Sequence, residues 1–540
     1  MPSDKDLDGF LEAETREGST GLRPAGALLV PGLTVLFHPD VERIGERVAL
    51  TGLAAGRREL LSRGEPAFAP PHLPRRQPLG DVHLSRRPIV LAPGAEPGSV
   101  LLSCADTATA VAVDGEPVAG ERTLSAAEVA RGAVLLLANR VVLALSLLDP
   151  VAAPQLAGFG LVGESASMTL LRREIRRVAG LAVPALVRGE TGTGKELVAR
   201  ALHEAGPRAA KPFLAVNMGA VPGTLAAAEL FGAVRGAYTG ADQMREGYFR
   251  RAHGGTLFLD EIGETPPEVQ PLLLRVLESG EVQPVGGGEA RRVDVRLVAA
   301  TDADLEGAAA AGRFRAPLLH RLGGYQIRLP PLRERREDFG RLLLHFLRQE
   351  LAPLDELDRL DPPAPGVRPW LPAELVARLA AHDWPGNVRQ LRNVVRQMVI
   401  AGRDGGEAAM WLQAEAAFRD ATPHPPADRR ETAPEIPAEV IRRARRSYRR
   451  PDEVGEGELV AALRANRWRL QPTAAQLGIS RGSLYDRIEK SSTIRKAADL
   501  GRVEIAECLE RCGGDLDAMV ERLEVSKRGL QRRMLRLGMS

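Results

Sequence analysis

The sequence is poor in cysteine. Only three occur among 540 residues, at Cys104, Cys508 and Cys512. Three are too few for a disulfide framework. Cys508 and Cys512, four positions apart on a predicted helix, lack the further ligands that a zinc site needs. We therefore expect the chain to work in a reducing, intracellular compartment.

Long apolar runs and strong net charge are also missing. No stretch of about 18 apolar residues occurs, and the first six residues are acidic and polar where a signal peptide would be basic and then apolar. We expect neither membrane insertion nor secretion. The formal net charge is only +3, so the distribution of charge is more informative than its sum, and basic residues concentrate towards the C-terminus.

The composition is typical of a globular protein, and changes in sequence pattern divide the chain into several domains. Short β-branched runs with turn residues, including Asp114-Gly115, predict a β-sandwich. Alternating strand and helix patterns then predict an α/β domain, followed by helices and a proline-rich linker. The predicted boundaries are 1–24 for a flexible N-terminus, 25–150 for the sandwich, 160–335 for the α/β domain, 336–412 for a helical domain, 413–440 for the linker, and 441–491 and 492–540 for two all-helical C-terminal units.

The two C-terminal units repeat one pattern. A shift of 46 positions aligns their apolar and basic residues without a gap, which indicates an internal duplication. The aligned pairs include Leu459 with Ile505, Leu463 with Leu509, Ile479 with Val525, Ser480 with Ser526, Leu484 with Leu530 and Arg487 with Arg533.

A glycine-rich segment lies between a strand-like and a helical run. This order allows backbone N–H groups to surround phosphates while Lys195 reaches the terminal phosphate oxygens. An ordinary glycine-rich turn is the alternative interpretation. Glu196 departs from the general pattern, in which a Ser or Thr there holds Mg²⁺. The predicted ATP-binding residues are Gly189, Glu190, Thr191, Gly192, Thr193, Gly194, Lys195 and Glu196.

An apolar run further along ends in Asp260 and Glu261. Asp260 is suited to hold Mg²⁺, and Glu261 to polarise the water that attacks the γ-phosphate. A solvated acidic turn is the alternative, but the position downstream of the glycine-rich loop favours ATP hydrolysis. Arg315 and Arg321 would be surface charges in a monomer, whereas in a ring they would reach a neighbour's nucleotide.

Residues 160–400 resemble the AAA+ domain of sigma-54-dependent transcription activators, the bacterial enhancer-binding proteins. The resemblance rests on the glycine-rich loop with its Glu196, on Glu229-Leu230-Phe231-Gly232, and on Trp384-Pro385-Gly386-Asn387-Val388-Arg389. It implies an ATP- and Mg²⁺-dependent homo-oligomer, from dimer to hexamer, in which Arg315 and Arg321 act on the neighbouring subunit. It further implies that Asn217 restrains Glu261, and that Asp302 and Arg389 contact nucleotide.

The same resemblance assigns a partner to a short glycine-flanked loop. In the family this loop moves with the γ-phosphate state and touches sigma-54 in the closed promoter complex. The implied sigma-54 contacts are Gly236, Ala237, Tyr238, Thr239, Gly240 and Ala241.

Several positions depart from the family pattern. Tyr238 replaces Phe, Asp302 replaces the Asn of the first sensor, and Pro284 replaces an Arg. Ala233 and Val234 replace a His-Glu pair. An ionised Asp302 accepts hydrogen bonds but cannot donate them. Two alternatives therefore stay open: a DNA-binding regulator with a weakened ATPase, and an AAA+ remodeller of another protein.

The first C-terminal copy resembles a Fis-type helix-turn-helix. A helical hairpin with solvated arginines is the plainer interpretation, and the second copy is compatible with either DNA binding or dimerisation. The resemblance implies DNA contacts, to base edges or phosphates, by Ser480, Arg481, Ser483, Tyr485, Arg487 and Lys490.

The N-terminal sandwich weakly resembles a forkhead-associated domain. Arg47, Ser85 and Arg86 would offer charge-assisted hydrogen bonds to a phosphothreonine protein. Glu46 and Asp114 replace the Arg and Asn usual in that family. No Asp-rich receiver pattern precedes residue 160, so phosphorylation at an aspartate is not expected. The sequence thus predicts a bacterial, cytoplasmic activator that binds upstream DNA and uses ATP to remodel sigma-54 RNA polymerase.

Overall fold

The structure is a computed structural model that describes residues 29–71, 75–150, 158–237, 244–363, 367–404 and 406–419, together with most residues from 454 to 537. The chain forms two compact units, Met1–Arg396 with Ala417–Asp428, and Gln397–Ala416 with Arg429–Ser540. In the described part of the chain no helix is both long enough and apolar enough to cross a membrane.

The N-terminal region, which we call the two-sheet domain (residues 30–148), contains two antiparallel sheets. Their strand orders are β2-β1-β10-β9-β6-β7 and β3-β4-β5-β8. Leu33 and Leu143 of one sheet share a hydrophobic cluster with Leu91 and Leu102 of the other. The elements are β1 (Val30–Phe37), β2 (Arg47–Ala49), α1 (Thr51–Ala54), β3 (Glu59–Leu61), β4 (Ile89–Pro93), β5 (Val100–Ser103), β6 (Val111–Val113), β7 (Glu116–Pro117), β8 (Glu121–Leu124), α2 (Ala126–Arg131), β9 (Ala133–Leu137) and β10 (Val141–Leu148).

The next region is built on a parallel five-stranded sheet with the order β12-β13-β16-β11-β17. Its central strands are apolar and buried on both faces, as expected for a sheet covered by helices. The strands are β11 (Ala185–Arg188), β12 (Phe213–Asn217), β13 (Thr256–Asp260), β16 (Arg296–Thr301) and β17 (Tyr325–Arg328), with a separate hairpin of β14 (Glu281–Val282) and β15 (Arg291–Arg292). The helices are α3 (Ala166–Ala179), α4 (Lys195–Glu204), α5 (Gly223–Phe231), α6 (Tyr248–Arg251), α7 (Gln270–Ser279), α8 (Leu305–Ala310) and α9 (Ala316–Leu322).

Four helices follow as a lid: α10 (Phe339–Leu351), α11 (Ala373–Ala381), α12 (Asn387–Asp404) and α13 (Gly406–Arg419). The lid was predicted to end at residue 412, but α13 continues to Arg419. Within α13, Met410 and Ala414 lie at helical spacing and are both buried.

The two-sheet domain packs on this lid. Thr34 and Ala144, which pair across β1 and β10, are buried although they point away from the shared core. Helices α10 and α11 cover this second face. The backbone approach is close at Gly340, where a Cβ atom would lie 2.2 Å from the Leu36 carbonyl oxygen. Glycine is therefore required at the centre of this contact.

The second unit ends in four short helices, α14 (Glu456–Ala465), α15 (Leu470–Leu477), α16 (Arg502–Arg511) and α17 (Leu516–Leu523). Each helix of the second pair begins and ends 46 positions after its counterpart in the first. The predicted helical duplication is thus present in the secondary structure.

Candidate functional site

The glycine-rich loop joins β11 to α4 at the carboxyl edge of the parallel sheet. Gly192 and Gly194 have φ values of +80° and +108°, which favour glycine. A Cβ atom on Gly192 would lie 2.4 Å from the Gly386 carbonyl oxygen, so the lid also requires a glycine there. Helix α4 starts directly after Gly194, so its first backbone N–H groups point towards the loop. This geometry is suited to binding phosphates.

Lys195 is the cation of this loop. Its Nζ donates to the Gly189 carbonyl oxygen at 2.8 Å. Burial lowers the pKa of Lys195, whereas the negative charges of Asp302, Asp260 and Glu261 raise it. The structure thus brings the predicted loop lysine and three predicted acidic residues into one electrostatic environment, formed by the ends of neighbouring strands.

Asp260 is the last residue of strand β13, and Glu261 follows it directly. Burial raises the pKa of Asp260, and the backbone N–H of Glu261, which donates to Asp260 Oδ1 at 3.0 Å, opposes that shift. Glu261 has a φ of +53°, an uncommon conformation for a residue with a Cβ atom. Such strain persists only where the surroundings enforce it, and it concentrates at functional sites.

Asn217 lies beside this acidic pair, because it is the direct partner of Asp260 across β12 and β13. Its Oδ1 accepts from the backbone N–H of Ala220 at 3.2 Å. A Cβ atom on Gly219 would lie 2.5 Å from Glu261 Oε2 and 3.3 Å from Asn217 Oδ1. The absence of a side chain at Gly219 therefore leaves room for both groups.

Asp302 follows β16 and is exposed. The Thr191 hydroxyl donates to Asp302 Oδ2, so this carboxylate contacts the phosphate loop directly. Asp302 accordingly occupies the expected sensor position, but there it acts as an acceptor.

The lid and the segment after β17 contact the loop through one residue that the sequence predicted, Arg389, and through two that it did not. Arg389, which was assigned, donates its backbone N–H to the Gly192 carbonyl oxygen at 3.2 Å. The missed residues are Arg333 and Asn387, which both bind the Glu190 carboxylate, at 2.8 and 3.1 Å to its Oε2. Asn387 lies in the Trp384–Arg389 motif that carries the family resemblance, and that resemblance was the only available signal for it.

Asn387 links three segments. Its side-chain amide also donates to the Thr191 carbonyl oxygen at 3.1 Å and accepts from the backbone N–H of Leu332 at 2.8 Å. Asn387 is fully buried and has a φ of +51°. An Asn tolerates this left-handed conformation better than most residues. The lid, the phosphate loop and the segment after β17 are therefore held together at one side chain.

Arg315 and Arg321 lie at the two ends of α9, and both are exposed. The Arg321 guanidinium donates to the Leu277 carbonyl oxygen at 3.0 and 3.2 Å. Within the described residues, neither arginine forms an ion pair or donates its side chain to the phosphate loop. The structure does not bring them to the nucleotide loop of their own chain.

The base of the expected sigma-54 loop is well defined. Ala233 exchanges backbone hydrogen bonds with Arg245, and the backbone N–H of Val234 donates to Val285. Ala233 is fully buried. A Cβ atom on Gly286 would lie 2.5 Å from the Ala237 Cβ. The small apolar residues that replace a His-Glu pair thus fit a packed base. Gly236 and Ala237 are described, whereas Tyr238, Thr239, Gly240 and Ala241 lie outside the described residues.

Most of the expected DNA contacts, namely Ser480, Arg481, Ser483, Tyr485 and Lys490, also lie outside the described residues. Arg487 is described, and its guanidinium donates to the Val454 carbonyl oxygen. The structure therefore gives Arg487 an intramolecular contact in addition to the DNA contact implied by the family.

The expected phosphopeptide residues are not gathered into one site by any hydrogen bond among the described residues. Arg47 Nη1 donates to the Glu164 carbonyl oxygen at 3.4 Å, at the entry to the ATPase region. Ser85 Oγ accepts from the backbone N–H of Arg87 at 2.9 Å, and Arg86 is exposed. Glu46 is buried and paired with Arg43, which explains a glutamate there.

Comparison with known proteins agrees with this geometry. Residues 161–328 match the sigma-54 interaction domain, residues 333–425 the AAA+ ATPase lid domain, and residues 453–490 the bacterial regulatory protein model of the Fis family. None of these three ranges includes the two-sheet domain.

The chain is also similar to individual proteins. The chain is 40% identical over 339 residues to the DNA-binding transcriptional regulator NtrC of Salmonella typhimurium, spanning 61% of this chain and 70% of NtrC. It is 43% identical to the anaerobic nitric oxide reductase transcription regulator NorR of Salmonella schwarzengrund, spanning 53% of this chain and 57% of NorR. A crystal structure of NtrX from Brucella abortus with ADP shares 33% identity over 61% of this chain and 69% of its own, with a TM-score of 0.43.

The chain therefore belongs to the family of sigma-54-dependent transcriptional activators, AAA+ proteins that hydrolyse ATP and bind DNA through a Fis-type unit. The assigned fold of the central region and of the first C-terminal copy is confirmed. The forkhead-associated likeness and the individual site residues stay predictions.

Proposed function

We propose that this chain assembles into a ring, up to a hexamer, that binds upstream DNA and hydrolyses ATP to open promoter complexes of sigma-54 RNA polymerase. The observation that supports this most is the convergence of Lys195, Asp260 and the strained Glu261 at one sheet edge. The exposure of Arg315 and Arg321 supports a ring, since these cations are available to a neighbouring subunit.

The hydrolytic roles follow from charge and position. Lys195 and the backbone N–H groups at the start of α4 bind the phosphates. Glu261 accepts a proton from the attacking water, or orients it, because its carboxylate lies beside the loop and is not engaged by an ion pair among the described residues. Arg315 and Arg321 stabilise charge on the phosphates of the adjacent subunit.

The donor set fits Mg²⁺. Hard oxygen ligands from one or two carboxylates, completed by phosphates and water, are the usual protein environment of this ion. Asp260, half-buried next to Lys195, is the carboxylate that would hold it, and Glu196 on the first turn of α4 lies within electrostatic reach of Asp260. When bound, Mg²⁺ supplies positive charge that offsets the charge of the phosphates.

The two-sheet domain is proposed to be the regulatory element. It binds a phosphothreonine segment at the turn that contains Ser85 and the exposed Arg86. Its docking on α10 and α11 places it on the same lid that binds Glu190 through Asn387. A ligand that alters this docking would therefore change the environment of the phosphate loop.

Titration of the full chain with phosphothreonine peptides tests this regulatory role. We expect binding that disappears on removal of the phosphate and weakens at least about tenfold in Arg86→Ala. Arg57→Ala, another exposed arginine of the same domain, is the control. Equal binding of phosphorylated and unphosphorylated peptides would refute the phosphothreonine assignment without touching the ATPase assignment.

A further inference from the structure

The two C-terminal copies agree in detail. Gly455 and Gly501 precede α14 and α16 with nearly the same backbone angles, φ −66° and ψ 152° against φ −80° and ψ 157°. In both copies the residue that follows the first helix returns a backbone hydrogen bond four positions back, from Asn466 to Ala462 and from Cys512 to Cys508. The second copy, which the Fis family model does not cover, therefore has the same local structure as the first.

Burial follows the same repeat. Equivalent positions have closely similar exposure although their residue types differ, which is the pattern expected if both copies pack in the same way. The equivalent buried pairs are Val454 and Leu500, Leu459 and Ile505, Ala462 and Cys508, Thr473 and Met519, Ile479 and Val525, and Leu484 and Leu530.

An arginine contact is also duplicated. Arg487 donates to the Val454 carbonyl oxygen, and Arg533, 46 positions later, donates through Nε to the Leu500 carbonyl oxygen at 2.9 Å. In each copy this contact ties the arginine to a residue two positions before the first helix. The two equivalent arginines are thus held in the same way.

The copies form a single body. The buried hydrophobic residues of both copies, among those that the structure describes, belong to one hydrophobic cluster. Arg464 of the first copy forms a bidentate ion pair with Glu524 of the second, at 2.7 and 3.1 Å. The pair is exposed and contributes little stability, but it shows that the two surfaces match in charge as well as in shape.

The sequence of the second copy is more basic where the first copy carries its expected DNA contacts. Residues 526–536 contain five basic residues and no acidic one, whereas residues 480–490 contain three basic residues together with Asp486 and Glu489. Phosphate neutralisation by Lys and Arg dominates nucleic-acid affinity. A copy that served only to bury a core would need no such charge.

We propose that the second copy is a further DNA-binding unit, so that one chain presents two helix-turn-helix units, fixed by a shared core, to two segments of duplex DNA. Helix-turn-helix proteins ordinarily obtain two such units by dimerisation. Here the covalent link and the common core remove the concentration dependence of pairing and fix the spacing of the two DNA segments.

The test uses the full-length chain and a labelled mixed-sequence duplex of about 30 base pairs, with affinity measured by anisotropy over a range of KCl concentrations. Lys527→Gln combined with Arg528→Gln should weaken binding about tenfold or more near 0.1 M salt, and should reduce the salt slope by about 2. Arg481→Gln, in the first copy, should also weaken binding. Arg502→Gln, exposed on α16, should bind like the wild type.

A charge-conserving variant, Lys527→Arg with Arg528→Lys, is the control for a folding defect. It should retain the wild-type salt slope. The proposal is overturned if the double Gln variant keeps wild-type affinity and slope while Arg481→Gln weakens binding, since the second copy would then only complete the core. It is also overturned if the charge-conserving variant loses binding as strongly as the double Gln variant. If Arg481→Gln binds DNA as tightly as the wild type, that result would instead count against DNA binding by the first copy.

Discussion

Glu261 combines a strained backbone with a carboxylate next to the phosphate loop. Its φ of +53° is forced by the turn from β13 into the following 3₁₀ turn. A non-glycine residue in this conformation is destabilised by about 1 kcal/mol or more. The folded protein tolerates this strain at a position where a general base is needed, and this observation supports the assignment of Glu261 beyond sequence pattern.

Replacing Glu261 by Gln is expected to lower kcat for ATP hydrolysis by roughly 10²- to 10⁴-fold, because the amide cannot accept a proton from water. ATP binding should change little, since Lys195 and the loop remain. Phosphate release and the affinity for a fluorescent ATP analogue measure the two effects. Glu264→Gln, an exposed carboxylate of the same turn, should behave like the wild type. An unchanged kcat in Glu261→Gln would refute the assignment.

Asp302 adds a negative charge beside the phosphate loop. Replacing Asp302 by Asn should strengthen ATP binding about 3- to 10-fold. The Asn removes the repulsion between the Asp302 carboxylate and the phosphates, and repulsion between two like charges about 4 Å apart in water is worth about 1 kcal/mol. Titration with the fluorescent ATP analogue measures this change, and Asp361→Asn, exposed elsewhere, is the control. Weaker binding in Asp302→Asn would show that the carboxylate, held by the Thr191 hydroxyl, supports the nucleotide site.

The sequence pattern predicted Asp260 and Glu261 at the end of an apolar strand, whereas Asn217 and Asp302 were predicted from the family resemblance. It did not identify roles for Arg333 and Asn387. Their contact with Glu190 joins segments separated by more than 140 positions. No local periodicity encodes such a contact.

Helix α10 is the element on which the two-sheet domain docks. Its apolar spacing predicted a helix but not what covers it. The same holds for β10, whose uniform apolar run is typical of a strand buried on both faces but does not identify what covers the second face. The close approach at Gly340 identifies the partner. The backbone of α10 contacts the backbone of β1 there, and this contact requires a glycine.

Gly340→Ala should destabilise the docked arrangement by about 1–3 kcal/mol, because the new methyl group would overlap the Leu36 carbonyl oxygen. Amide hydrogen exchange in α10 and β1 should accelerate. Gly180→Ala is the matched control, since a Cβ atom there meets open space. Unchanged exchange in Gly340→Ala would show that the two-sheet domain does not dock through this face.

Glu337, just before α10, gives the same interface a pH dependence. Burial and the neighbouring Asp338 raise the pKa of Glu337 to about 8, against the opposing charges of Arg47 and Arg335. Because the folded-state pKa is raised, the folded chain holds an extra proton. This extra proton stabilises the folded state. The stabilisation is fully present below the unfolded pKa of Glu and is lost as pH rises towards 8, by at most about 1.4 kcal/mol per pH unit.

Glu337→Gln should therefore raise the Tm relative to the wild type at pH 8, with a smaller difference at pH 5. An equal difference at both pH values would contradict the raised pKa.

At the scale of the whole molecule, the proposed ring requires complementation between subunits. Lys195→Ala should abolish ATP binding, and a double Arg315→Ala and Arg321→Ala variant should bind ATP but hydrolyse it at least about 10³-fold more slowly. Mixing the two inactive variants should restore partial hydrolysis, because intact arginines of one subunit then act on the intact loop of its neighbour. Absence of recovery, with mixed assembly verified, would contradict trans action.

Promoter opening is the direct test of whether this chain uses ATP hydrolysis to remodel sigma-54 RNA polymerase. Single-stranded DNA is detected by permanganate reactivity after the full-length chain and ATP are added to closed complexes of sigma-54 RNA polymerase on a promoter with an upstream binding site. We expect opening by the wild type, none by Glu261→Gln, and none by Tyr238→Ala even though that variant retains ATP hydrolysis. DNA binding and ATP hydrolysis by the wild type without any opening would contradict this expectation.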